Sequence, residues 1–122
     1  DTKMGNLAQS LQELLQIDGA LAVAVVDSNS GMVLGKAGGG IDLDVAGAGH
    51  TEVVRAKMKT MKSLGLKDAI EDILITLTKQ YHIIRPMAER PGVFIYLVLD
   101  RAKSSLALAR LKTAEIESSL TL

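Results

Sequence analysis

Histidines and carboxylates are the residues of this chain whose types and spacing could support catalysis. His50, Thr51 and Glu52 form the H-x-E half of a zinc-deaminase signature. The other half, P-C-x-x-C, cannot be present because the chain contains no cysteine. We therefore interpret His50 as a histidine on the face of a helix.

A metal shared by the two histidines is a second possibility. His50 and His82 fall in different predicted elements, and their separation is not a ligand spacing, so the indication of a metal site is weak. We expect His82 to lie on the sheet instead. The sequence predicts neither a metal nor another cofactor.

Other catalytic arrangements are missing as well. Glu71 and Asp72 are adjacent, and consecutive residues of a strand point to opposite faces, so they cannot form a carboxylate dyad. No serine lies in a G-x-S-x-G context, and the glycine cluster at residues 35–40 lacks the order of a phosphate-binding loop. We predict that the chain is not an enzyme and that residues 35–40 form a mobile loop.

Composition limits the class of protein. The 122 residues suffice for one domain with a substantial core, and fourteen basic residues balance fourteen acidic ones, which favours neither nucleic acid nor an acidic membrane surface. No apolar run approaches the roughly 20 residues of a membrane span. We expect a cytoplasmic protein with no nucleic-acid partner and no membrane insertion. Its single domain covers residues 6–122, after a disordered or artificially added start at residues 1–5.

Apolar runs in the chain predict five strands. Three runs separated by short polar breaks predict an antiparallel meander at residues 73–78, 81–86 and 93–99. The last run is apolar on both alternating faces, which is typical of a central strand covered on both sides. Two earlier runs, residues 20–26 and 32–34, predict a hairpin around the turn-forming residues 27–31.

Helical periodicity predicts three helices, at residues 6–19, 42–64 and 102–120. In the central helix, Asp42 is the expected N-cap, and His50 and Lys57 lie on the shoulder of a wide apolar arc. Its first half is rich in glycine and alanine, whose small size permits close approach of a second helix. The predicted order of elements is α-β-β-α-β-β-β-α.

With this order, the sequence resembles the roadblock family, the relatives of the dynein light chains, and especially the bacterial members associated with small Ras-like GTPases. The segments that carry the resemblance are IDGA at residues 17–20, the turn at 27–31, and IEDILITLTKQYHIIR at 70–85 followed by GVFIYLVLD. The resemblance extends over residues 7–120. It implies an α/β (α+β), profilin-like fold, in which a five-stranded antiparallel sheet carries one long helix on one face and the two terminal helices on the other.

The resemblance also implies an assembly and a function. Roadblock proteins are non-enzymatic homodimers whose central helices pack antiparallel and whose third strands pair, and some of them bind GTPases. We therefore expect a homodimeric scaffold or regulator that docks or modulates a small Ras-like GTPase in signalling. The predicted dimer interface consists of Ala46, Gly49, His50, Val53, Lys57, Asp72, Leu74 and Thr76. The alternative is a small-molecule-sensing or protein-interaction module with a sheet of the same kind.

Overall fold

The computed structural model describes residues 5–122, and its elements follow the predicted order. The helices are α1 (Leu7–Leu15), α2 (Leu43–Ser63) and α3 (Leu106–Ser119). The strands are β1 (Ala20–Asp27), β2 (Met32–Gly38), β3 (Ile73–Thr76), β4 (Gln80–Pro86) and β5 (Val93–Asp100). The predicted disordered start lies outside the described residues except for Gly5, where a Cβ would lie 2.7 Å from the carbonyl oxygen of Thr121.

The strands form one antiparallel sheet in the order β2-β1-β5-β4-β3. β5 lies at the centre, pairs with β1 and β4, and is buried from residue 94 to residue 99. This confirms the central position predicted from its two apolar faces. The edges of the sheet are β2 and β3.

Helices cover both faces of the sheet, because β1 and β5 present apolar residues to both sides. On one face α2 contributes to a core that contains Ala22, Ala24, Val26, Leu43, Ala46, Val54, Phe94, Tyr96 and Val98. On the other face α1 and α3 contribute to a core that contains Leu11, Leu14, Val23, Val25, Ile95, Leu97, Leu99 and Ala109. The predicted fold class and the predicted placement of the helices are therefore confirmed.

The first helix ends at Leu15, earlier than the predicted end at Gly19. Because the helix ends at Leu15, Ile17 can turn into the core beneath α1 and α3, where it is only 8% exposed. Gly19 then adopts a φ of 84°, and a Cβ at this position would lie 2.7 Å from the Cβ of Ser104. Glycine is therefore required at the start of β1 rather than at the helix end.

The prediction of a mobile loop at residues 35–40 is wrong for residues 35–38. β2 continues to Gly38, and Gly35 and Ala37 pair with β1. Gly35 lies directly beneath α1, since a Cβ there would lie 2.9 Å from side-chain atoms of Leu7 and Leu11. Gly39 and Gly40 follow the strand and have open space around them.

Local hydrogen bonds determine where α2 begins and where β3 ends. Asp42 caps α2 as predicted, accepting hydrogen bonds from the backbone N–H groups of Asp44 (3.2 Å) and Val45 (3.1 Å). β3 ends before the predicted residue 78, because the N–H of Leu77 donates to the carbonyl of Gln80 (2.8 Å) and closes the turn. A short 3-10 turn, Arg101–Lys103, precedes α3.

No helix in residues 5–122 has the length and apolar character needed to span a membrane.

Candidate functional site

One helix cannot cover a whole face of this sheet. Strands lie about 4.8 Å apart and a helix is roughly 10 Å wide, so α2 cannot cover all five strands equally. Its main contacts are with β1 and β2. On this face of β4, His82 and Ile84 are buried, so the part left partly open is β3, where Ile73 and Ile75 are half-buried.

Contacts on the two flanks of α2 show which side of the helix faces which edge of the sheet. On one flank, Arg55 donates a hydrogen bond to the carbonyl of Asn29 (2.7 Å), in the turn between β1 and β2. On the other flank, the His50 ring stacks on Tyr96 of β5. The side of α2 next to His50 therefore looks toward β4 and β3.

Gly49, Val53 and Lys57 occupy successive turns of that side of the helix and are exposed. Val53 is 38% exposed although it is apolar. These three residues, together with β3, define what we call the α2–β3 face. It combines a small apolar helix surface with an edge strand whose side chains on this face are only half-buried.

A cluster of three rings, His50, His82 and Tyr96, lies between α2 and the sheet. The His50 and Tyr96 rings are stacked, with centroids 4.4 Å apart, and the His50 and His82 centroids are 6.0 Å apart. Strand register explains why His82 and Tyr96 are in contact, because His82 pairs with Val98, two residues beyond Tyr96 on the same face of β5. The sequence placed His82 on the sheet but gave no signal that His50 would reach it.

Hydrogen bonds engage both ring nitrogens of His82. Its Nε2 lies 2.9 Å from Oε1 of Gln80, and its Nδ1 lies 3.0 Å from the hydroxyl of Tyr96. A neutral ring satisfies both, since Nε2–H donates to Gln80 and Nδ1 accepts from Tyr96. Burial, followed by the neighbouring His50, lowers the pKa of His82, and burial raises the pKa of Tyr96 to about 12.

This arrangement serves packing better than metal binding. Both nitrogens of His82 are occupied by protein partners, and Nδ1 of His50 lies 2.7 Å from the carbonyl of Ala46. No group of three or more potential ligands from histidine, aspartate and glutamate occurs among the described residues. The cluster instead fixes the position of α2 over β5 and β4.

The two edges of the sheet differ in regularity. The β1–β2 register shifts between Val25 and Val26, which leaves Leu34 of β2 unpaired as a bulge. β3 pairs with β4 without a shift from Ile73 to Thr76. Because bulges discourage pairing with another strand, β3 is the edge better suited to accept one.

Solved structures are similar to this arrangement, whereas no protein-family model and no curated protein matches the sequence. MglB of Myxococcus xanthus has a TM-score of 0.80 at 21% identity, covering 91% of this chain and 81% of that chain. A roadblock/LC7 domain from Streptomyces avermitilis has a TM-score of 0.79 at 13% identity, covering 91% of each chain. An MglB with a tetrameric arrangement has a TM-score of 0.79 at 19% identity, covering 93% of this chain and 83% of that chain. The chain has the roadblock/LC7 fold.

Within this roadblock fold, the predicted interface residues of α2 fall into two settings. Gly49, Val53 and Lys57 are exposed on the α2–β3 face. Ala46 is buried in the core beneath α2, and His50 is half-buried against Tyr96. The first three are available to a partner as they stand, whereas Ala46 and His50 mainly hold the helix on its own sheet.

The predicted interface residues around β3 point away from α2. Asp72 accepts two hydrogen bonds from Arg110 of α3, and Leu74 packs against the core beneath α1 and α3. Thr76 is exposed and shares the face of Leu74. The side chains of Ile73 and Ile75 lie on the opposite side of β3, toward the core beneath α2. The sequence did not single out Arg110, Tyr96 or the two isoleucines.

Proposed function

We propose that this protein is a non-enzymatic homodimeric scaffold or regulator that docks or modulates a small Ras-like GTPase in signalling. The observation that carries the proposal is the α2–β3 face, which combines exposed residues of α2 with a regular edge strand whose side chains on this face are only half-buried. A second copy related by a two-fold axis would supply both a helix and a strand to the same place.

An antiparallel pair of α2 helices fits the residues on this face. A crossing centred near Val53 puts Gly49 of one copy opposite Lys57 of the other, so the long lysine side chain lies over a residue with no side chain. A Cβ at Gly49 would meet nothing within 4 Å in the single chain. The close approach that glycine permits therefore serves contact with a partner helix.

Charge along α2 supports the same direction. Asp42 and Asp44 lie at the N-terminal end of the helix, and Lys59 and Lys62 lie near its C-terminal end. Antiparallel packing places the acidic end of one helix beside the basic end of the other, whereas parallel packing places like charges together. The helix dipoles favour the antiparallel direction as well.

Pairing of the β3 strands would extend the sheet across both copies. An edge strand exposes unpaired N–H and C=O groups, and a second copy of the same strand satisfies them. The two half-buried isoleucines, Ile73 and Ile75, would then lie beneath the helix of the partner copy. The similarity of fold to an MglB with a tetrameric arrangement is consistent with self-association.

The GTPase partner is supported by the resemblance of residues 7–120 to the bacterial roadblock proteins associated with small Ras-like GTPases. A dimer with a two-fold axis also offers a composite surface of both α2 helices, which a single chain lacks.

A pull-down and two rate measurements test the GTPase partner. The immobilised full chain is mixed with small Ras-like GTPases of the same organism, each loaded with GDP or with a non-hydrolysable GTP analogue. We expect retention of a GTPase in at least one nucleotide state, together with a changed rate of hydrolysis or nucleotide exchange. Absence of retention in both states, with unchanged rates, would eliminate the GTPase partner while leaving the homodimer to be judged by sedimentation.

A further inference from the structure

The face of the sheet opposite the α2–β3 face carries a groove between α1 and α3. Its volume is about 360 Å³, and it lies where the end of α1 approaches the first turns of α3. The lining residues are Glu13, Gln16, Ile17, Asp18, Ser105, Leu108, Ala109, Lys112, Glu115 and Ile116. Neither the ring cluster nor the dimer proposed above uses any of them.

The groove has an apolar floor and a polar rim. Ile17 and Ala109 are buried at its base, and Ile116 is half-buried beside them. The polar and charged lining residues are all exposed, so they surround the floor instead of converging on its centre. This anatomy is that of a protein interface rather than that of a small-molecule site, which places polar groups against the ligand.

Apolar lining residues follow α3 for more than two turns, from Leu108 through Ala109 to Ile116. Leu108 is 40% exposed, whereas Leu111 is 56% exposed but is not among the residues that line the groove. These leucines form the second stripe of α3, separate from the stripe that faces its own core. A ligand of helical length would therefore find apolar contacts over more than one turn of α3.

The rim is predominantly acidic. Glu13, Asp18 and Glu115 surround the groove, and Lys112 is the cation that lines it. In the part of the chain that the structure describes, no ion pair within 4.0 Å involves any of these four residues. The groove therefore presents uncompensated negative charge around an apolar floor, which complements a partner of opposite charge.

We propose that this groove docks an amphipathic helix of a partner protein, whose apolar face enters the groove and whose flanking residues are lysine or arginine. A helix laid in a groove between two helices buries its apolar stripe, and its basic flanks meet the acidic rim. The site lies across the sheet from the α2–β3 face, so it stays open in the proposed homodimer and is independent of the GTPase proposal.

A pair of synthetic peptides tests the charge and the location together. The first is a helical peptide of about 18 residues with leucines on one face and lysines on the other, long enough to form several turns. The second has glutamate in place of every lysine. We expect the leucine–lysine peptide to bind the full chain and to shift the amide NMR signals of residues 13–18 and 105–116, and the leucine–glutamate peptide not to bind.

Leu108→Glu separates apolar docking from general attraction of opposite charges. The substitution adds a negative charge but removes the exposed apolar contact, and we expect affinity for the leucine–lysine peptide to fall by about tenfold or more. Met32→Glu is the matched control, because Met32 is exposed on β2 and outside the groove. It should leave affinity unchanged or slightly higher.

Three results would overturn the proposal. The first is no binding of the leucine–lysine peptide, and the second is binding with amide shifts on α2 instead of α1 and α3. The third is tighter binding by Leu108→Glu, which would show that charge alone attracts the peptide. Because Leu108 is partly exposed, the variant is expected to fold, and its amide spectrum without peptide verifies this.

Discussion

Arg110 of α3 holds Asp72, the residue before β3, through two parallel hydrogen bonds. Its Nε and Nη2 atoms each lie 2.9 Å from a carboxylate oxygen of Asp72. The Asp72 side chain is only 13% exposed, and the hydrogen bond to it raises the pKa of Arg110. The pair ties the start of the edge strand to the helix on the opposite face from α2, and so fixes where β3 begins.

Arg110→Met should lower the free energy of unfolding by about 1–2 kcal/mol, a range reduced for the solvent screening of a partly exposed guanidinium. The loss arises because a largely buried carboxylate is left without its donors. Urea unfolding at neutral pH measures it. Lys112→Met is the control, since Lys112 makes no ion pair among the described residues. Equal losses in the two variants would show that the clamp contributes nothing specific.

Val53→Glu should convert the proposed homodimer to a monomer, because it places a carboxylate at the centre of the antiparallel helix contact. Val53 is exposed in the single chain, so the chain itself should still fold. Sedimentation velocity measures the mass of the species, and circular dichroism checks the fold. Leu111→Glu adds the same charge to an exposed leucine on α3, across the sheet, and should leave the dimer intact. A Val53→Glu variant of unchanged dimeric mass would exclude this helix side as the interface.

The two glycines of α2 should respond in opposite directions to alanine. Gly47 lies against the sheet, where a Cβ would approach Cγ2 of Val33 to 2.8 Å, whereas a Cβ at Gly49 has open space. In the monomeric Val53→Glu background, Gly49→Ala should gain up to about 1 kcal/mol of stability from helix propensity. Gly47→Ala should lose about 1–2 kcal/mol net, since overpacking exceeds that gain. Urea unfolding measures both, and a gain at Gly47 would mean that α2 packs less closely on β2.

Stability should fall as the pH falls below about 6.5, partly because of His82. Burial and His50 lower the pKa of folded His82 below its ordinary value of 6.5, so the unfolded chain binds the proton more readily. The contribution of His82 is fully present above the unfolded pKa and is lost as the pH drops toward the folded pKa. Gln80, Tyr96 and His50 are the groups in contact with the ring.

His82→Gln should reduce this pH dependence, because glutamine keeps a polar group in the cluster but does not titrate. Urea unfolding of both proteins at several pH values between about 5 and 8 gives the two slopes, and the carboxylates contribute equally to each. Parallel slopes for the two proteins would assign the pH dependence to other groups.

The sequence predicted the topology well because its strongest signals are local and redundant. The apolar run that became β5 has two apolar faces, and only a central strand buries both. The sequence analysis ended β2 too early because glycines usually mark loops. Gly35 is instead a strand residue that needs to be small, because Leu7 and Leu11 of α1 pack closely over it. That contact joins elements distant in sequence, which no local pattern contains.

The candidate site was predicted only in part, for a similar reason. Helical periodicity put Val53 and Lys57 on one flank of α2, and the structure places that flank, together with Gly49, toward β3. Strand alternation separates Asp72 and Leu74 from Ile73 and Ile75, but it does not say which set lies beneath which helix. The hydrogen bonds from Arg110 place Asp72 on the side of α3, and Arg110 belongs to the last helix of the chain, far from Asp72 in sequence.

The groove between α1 and α3 acquires a new property if two chains join through β3. A two-fold axis perpendicular to the sheet leaves both grooves on the same surface of the assembly, facing in one direction. A partner that carries two basic amphipathic helices on a linker of suitable length would then bind both at once, with an effective concentration for the second helix in the millimolar range. The homodimer would act as a bivalent receptor that discriminates paired helices from single ones through avidity, without any change in the groove itself.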